Sequence, residues 1–238
     1  MDKNIRFFND NVEVYSTRKP DSFDICCIEF MKKRGAWHNS TLLDIGGGSG
    51  VFSVLVKNNF PSIEVTLVDP CSGLLEKLND PRIIKMIGNL PDNIDTEISF
   101  DYIHIKNVMH HITGSTTGES KRLLKESLLS IKKLMNNGGY LFLHDEFDEG
   151  YFFPTLPRAL IFYSLRLQNA LGIKIPVEEF LPDLSVCFYT RKELIKAIKD
   201  CGFEILDIYV VMWSNTKKKK ILLIRDWGTI LLIAKLNH

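Results

Sequence analysis

Three short apolar runs, Thr41 to Ile45, Glu64 to Val68 and Tyr102 to Ile105, punctuate the first two thirds of the chain, with helix-like stretches between them. The runs are rich in β-branched and aliphatic side chains, and their alternation with helical periodicity predicts βαβ units around a parallel sheet. Val51 to Asn59 reads as a helix opened by glycines and closed ahead of Pro61, because proline disfavours helix in the residue before it. Further strands are expected at Ile83 to Ile87 and Tyr140 to His144. Between those two strands, Ser120 to Met135 carries amphipathic spacing that ends in Asn136-Asn137-Gly138-Gly139.

The pattern changes after Gly150. Tyr151 to Leu181 is rich in proline and aromatic residues, has a helical stretch from about Arg158 to Leu171, shows no strand signal, and reads as an insertion covering a site. Its aromatic residues, with their neighbours Phe188 and Tyr189, include Tyr151, Phe152, Phe153, Phe162, Tyr163 and Phe180, which would wall an apolar pocket or fill a core beneath a cap. Thr190 with Glu193 three residues later forms a capping box, Cys201-Gly202 stops that helix, and strands follow at Phe203 to Met212 and from about Thr229 to Lys235. The Lys217 to Lys220 run reads as a solvated loop between the last two strands. Upstream, Phe7, Phe8, Tyr15 and an apolar segment from Phe23 to Met31 are expected to pack over the cleft.

These elements predict one doubly wound, Rossmann-like α/β domain around a mostly parallel seven-stranded sheet with an antiparallel last strand. It divides into an N-terminal helical cap (1–38), a ligand-binding core (39–150), a helical cap insertion after strand five (151–189) and the C-terminal part of the sheet (190–238). With 45% hydrophobic and 25% charged residues, the composition excludes a disordered or fibrous chain. A net charge of +1 supplies no field to gather a polyanion, so a small-molecule partner is expected and a nucleic acid is not. The five cysteines form no C-x-x-C pair and indicate neither a disulfide framework nor a metal site. No signal-peptide pattern and no apolar run of membrane-spanning length is seen, so the expected setting is the cytoplasm, as a monomer or homodimer.

The chemistry is concentrated in Leu42-Leu43-Asp44-Ile45-Gly46-Gly47-Gly48-Ser49-Gly50, a strand running into glycines and then a helix. Glycines allow the backbone angles of that turn and let a ligand approach the main chain. Nineteen residues after Gly50, Asp69 ends the second strand, where a carboxylate can accept hydrogen bonds from both hydroxyls of a ribose. A dinucleotide enzyme uses the same device, so an oxidoreductase stays an alternative at this point, although Ser53 breaks the longer glycine fingerprint.

Taken with Gly88-Asn89-Leu90-Pro91, the Phe100 to Ile112 segment containing His110-His111, and the Asn137-Gly138-Gly139 turn before Tyr140 to Leu143, the chain resembles the class I S-adenosylmethionine-dependent methyltransferases. The resemblance runs from Thr41 to His144, with a weaker echo over Thr190 to Asp207. It implies a cofactor site for S-adenosylmethionine built from Asp44, Gly46, Gly47, Gly48, Asp69, Pro70, Asn89, Leu90, Lys106 and Asn107. In that site Asp44 to Gly50 hold the methionine part, Asp69 the ribose and Asn89 the adenine amine. Asn89 stands where the family usually has aspartate, and its amide oxygen can accept the same bond. The expected reaction is in-line transfer of the methyl group to a small-molecule acceptor, mainly by positioning, with His110 or His111 as the candidate base. Tyr15, His111, His144 and Glu146 are the expected acceptor-pocket residues, and His144, Asp145 and Glu146 otherwise read as loop polars just past the fifth strand. A protein or RNA methyltransferase and a non-catalytic S-adenosylmethionine-binding module are the alternatives.

Overall fold

The computed structural model describes residues 3–35, 38–91, 94, 96–172, 184–214 and 216–237. Three helices come first, α1 (Lys3–Asp10), α2 (Val12–Ser16) and α3 (Ser22–Arg34). Then β1 (Thr41–Ile45), α4 (Val51–Asn59), β2 (Glu64–Asp69), α5 (Ser72–Lys77), β3 (Ile83–Ile87) and β4 (Phe100–Lys106) alternate. They are followed by α6 (Thr117–Lys133), β5 (Met135–Gly150), α7 (Leu156–Leu171), α8 (Arg191–Asp200), β6 (Phe203–Met212), α9 (Thr216–Ile221) and β7 (Ile224–Leu236).

The strands form one seven-stranded sheet in the order β3-β2-β1-β4-β5-β7-β6. β1 to β5 pair in parallel, and β7 runs antiparallel between β5 and β6. Adjacent residues of a strand point to opposite faces, and here each face has its own core. Leu42, Tyr102 and Phe142 pack with Phe23, Ile28, Phe52 and Val56 of α3 and α4. Their neighbours Leu43, Ile103 and Leu141 pack with Leu124, Leu128, Leu194 and Ile198 of α6 and α8. That two-sided burial explains why the central strands read as continuous apolar runs. The strand order reverses between β1 and β4, and the cleft described below opens at the carboxyl ends of these strands, where open α/β sheets bind ligands.

α4 and the α8 capping box form where the sequence places them: Thr190 accepts from the Glu193 backbone while the Glu193 carboxylate accepts from the Thr190 backbone. Three elements differ. β5 continues to Gly150 because β7 pairs with it from Tyr140↔Lys235 to Gly150↔Ile224, so His144, Asp145 and Glu146 belong to a strand and not to a loop. For the same reason β7 begins at Ile224 and not at Thr229. The Lys217 to Lys220 run lies on helix α9, not in a loop. Phe180 and the middle of the expected 151–189 insertion fall outside the described residues. Among the described residues, no helix is long and apolar enough to cross a membrane.

Candidate active site

The turn after β1 is fixed by close approach. Gly46 has φ +67°, its N–H donates to Val68 O at 2.7 Å, and a Cβ there would lie 2.3 Å from Val108 Cγ2. Asp44 is buried with both carboxylate oxygens engaged: Oδ2 accepts from Ser53 Oγ at 2.7 Å and Oδ1 pairs with His104 Nδ1 at 2.8 Å. Asp44 therefore braces the turn from beneath. At the end of β2, Asp69 Oδ2 accepts from the Gly48 N–H at 2.9 Å and Oδ1 from the Cys71 N–H at 2.8 Å, which ties the glycine turn to the second strand. Burial pushes the Asp69 carboxyl up to about 6, against the two backbone donors.

All the residues expected to hold a cofactor line one cleft of about 360 Å³: the glycine turn, Asp69, Pro70, Asn89, Leu90, Lys106 and Asn107. Asn107 has φ +55°, a backbone conformation that costs energy in a residue with a side chain, and its buried Oδ1 has no hydrogen-bond partner among the described residues. Lys106 is placed differently from a free ligand-binding cation. Its Nζ lies 2.8 Å from Asp21 Oδ2 and 2.8 Å from Asp24 Oδ2, so it pins the start of α3 to the sheet edge. The fit to an adenosyl group is good, since the cleft combines a bare glycine turn with a carboxylate at the end of β2.

A second cavity of about 190 Å³ shares Phe8, Tyr15, Arg18, Asn107 and His111 with the cleft and is completed by His110, Glu146, Leu184, Val186 and Phe188. Here the two adjacent histidines separate. Asp145 Oδ1 meets the His110 imidazole at Nδ1 in a short contact, while Asp145 Oδ2 accepts the His110 backbone N–H at 3.1 Å. Burial alone would lower the His110 pKa, but the Asp145 charge outweighs it and the net direction is upward. His111 moves the other way, held well below the ordinary histidine value by burial and by its neighbour His110. Its ring stands edge-on to Phe8 with centroids 5.1 Å apart, and its Nδ1 has no partner among the described residues. Asn4 closes this side by donating to His111 O at 2.7 Å and Ser185 O at 3.0 Å, joining α1 to the cavity wall.

Of the expected acceptor-pocket residues, Tyr15, His111 and Glu146 line this second cavity, and His144 does not. His144 is buried against Phe23, with ring centroids 4.6 Å apart, and burial followed by the nearby Lys106 charge holds it neutral, with its pKa lowered to about 3. Asp145 has no local sequence pattern that marks it as the partner of His110. It lies 35 positions from His110, and only the register of β5 against β4 brings them together.

The sequence matches the methyltransferase domain family over residues 8–208. It is 30% identical over 115 residues to norreticuline-7-O-methyltransferase of Papaver somniferum, covering 48% of this chain and 29% of that enzyme. The chain spans about a third of the length of the curated relatives it matches. Among solved structures, an S-adenosylmethionine-dependent methyltransferase of Methanosarcina mazei superposes with a TM-score of 0.59 at 16% identity, covering 87% of this chain and 97% of that one. Phosphoethanolamine N-methyltransferase 2 of Haemonchus contortus, in complex with S-adenosyl-L-methionine, superposes with a TM-score of 0.57 at 13% identity, covering 89% of this chain and 52% of that one. A family match across most of the chain, on a seven-stranded sheet with its glycine turn and acidic β2 terminus at the cleft, shows that the chain belongs to the methyltransferase domain family, of the class I S-adenosylmethionine-dependent type.

Proposed function

We propose that this protein transfers the methyl group of S-adenosylmethionine to an oxygen atom of a small organic molecule, with His110 as the base that takes the acceptor's proton. The observation that carries the reading is the His110–Asp145 pair in the wall of a cavity that shares five residues with the cofactor cleft. The bound sulfonium supplies an already activated methyl group, so alignment and exclusion of water dominate what the protein must contribute.

Asp69 is the acceptor for the ribose hydroxyls, the glycine turn leaves room for the amino-acid part, and Asn89 and Leu90 flank the base. With its Nδ1–H directed at Asp145, a neutral His110 keeps Nε2 as its proton acceptor, and the carboxylate stabilises the imidazolium that forms. His111 stays neutral beside it and shapes the wall. Phe8, Leu184, Val186 and Phe188 supply apolar wall beside the polar Arg18, Asn107 and Glu146, a mixture that suits a flat hydroxylated molecule. The name of the poppy relative, an O-methyltransferase, supports an oxygen acceptor. A binding module without catalysis gives the His110–Asp145 pair no task.

Incubation with methyl-labelled S-adenosylmethionine and a panel of phenolic acceptors tests this. Label should enter an ether-linked methyl group, and His110→Ala should lower kcat/KM by about a hundredfold or more. Turnover undiminished in His110→Ala, or label passing only to nitrogen or carbon, would overturn the assignment.

A further inference from the structure

We propose that the surface formed by the Tyr151–Phe153 turn, the outer face of α7 and helix α9 docks on an anionic lipid bilayer. Phe152 is 91% exposed and Phe153 69%, an unusual placement for two adjacent phenylalanines. They sit in the turn between β5 and α7. The Tyr151 N–H donates to Leu223 O at 3.4 Å, which sets this turn beside the end of α9, where Ile221 and Leu223 are also exposed. On α7, Leu160, Tyr163, Leu167 and Leu171 repeat at helical spacing on the outer face, while Ile161, Phe162 and Leu165 face inward.

Charge identifies the occupant. α9 carries the four consecutive lysines Lys217 to Lys220, and no acidic residue occurs from Trp213 to Arg225 or from Tyr151 to Gly172. Glu149 and Asp226, which adjoin these stretches along the chain, are paired with Arg191 and Arg225. Exposed aromatic and aliphatic side chains beside a basic run match an interfacial site, where apolar groups enter the headgroup boundary and lysines meet anionic lipid. An apolar protein partner would not require the lysines, and a soluble anion would not require the phenylalanines. Ile161, Leu165 and Leu222 behind this surface share one cluster with Leu184, Val186 and Phe188, so the docking face is backed by the wall of the acceptor cavity. The inference does not depend on which atom is methylated.

Co-sedimentation of the full chain with vesicles of phosphatidylcholine alone, or with phosphatidylserine added, provides the test. Binding should require phosphatidylserine and weaken as salt is raised. Phe152→Ser/Phe153→Ser and Lys219→Gln/Lys220→Gln should each lower the partition coefficient by about tenfold or more while leaving S-adenosylhomocysteine affinity unchanged. Absence of binding to phosphatidylserine vesicles, or equal binding by wild type and both variants, would overturn the proposal. So would a wild-type dimer in light scattering that the phenylalanine variant converts to monomer with no change in vesicle binding, since the patch would then be a subunit interface.

Discussion

Asp145 holds His110 at two points: Oδ2 accepts the backbone N–H at 3.1 Å, and Oδ1 engages the imidazole Nδ1. The main-chain bond fixes where the residue begins, and the side-chain bond fixes which way its ring faces. Such a pair sets both the tautomer and the charge of the histidine.

The sign of its pH dependence follows. Asp145 raises the His110 pKa above the ordinary histidine value of 6.5, so at low pH the ring already carries a proton and cannot accept another. kcat/KM should therefore rise with pH along a limb whose midpoint lies above 6.5. Asp145→Asn should move that limb to lower pH and reduce the plateau about tenfold to a hundredfold. A pH–rate profile of the variant with an unmoved midpoint would remove His110 from the proton transfer.

Asp69 predicts a second pH effect with its own direction. Its carboxyl is raised by burial to about 6, so ionisation as pH climbs from about 4 to 6 works against the cofactor-free fold, while the ionised form is the better acceptor for ribose hydroxyls. Cofactor affinity should fall as pH drops through about 6. Asp69→Asn should weaken binding about tenfold to a hundredfold, the loss expected for hydrogen bonds to a charged group of about 1.5–3 kcal/mol, and should flatten this dependence. Calorimetry at pH 5.5 and 7.5 on both proteins reads it directly.

Lys106 makes a structural prediction. Asp24 is 1% exposed and receives Lys106 Nζ at both oxygens, at 2.9 and 2.8 Å. Lys106→Met leaves that carboxylate buried without its cation and should cost about 3 kcal/mol in urea unfolding. A loss below about 1 kcal/mol would show that α3 is held to the sheet by apolar packing alone.

What the sequence makes legible follows how local the determining interactions are. α4, the Gly48–Asp69 bond and the Thr190–Glu193 capping box rest on contacts within about twenty residues, and their patterns can be read directly from the chain. The last six residues of β5 pair with β7 from Asp145↔Ile230 to Gly150↔Ile224, 85 to 74 positions away, and so carry no local strand signal. Asp145 reads as a loop polar until that pairing buries it. Lys106 lines the cofactor cleft as expected, but its ion pairs with Asp21 and Asp24, more than eighty positions upstream, carry no local signal. α9 has no apolar periodicity from which a helix could be inferred, because lysines fill four of its six positions.

Titrating the folded protein with S-adenosylmethionine and S-adenosylhomocysteine in a calorimeter, with NAD and NADP as controls, reads whether the cleft is built for S-adenosylmethionine. This requires no knowledge of the acceptor. The structure predicts saturable binding of both sulfur nucleosides, weakened in Asp69→Asn, and none of either dinucleotide. Binding of a dinucleotide alone, or of no ligand by well-folded protein, would contradict it.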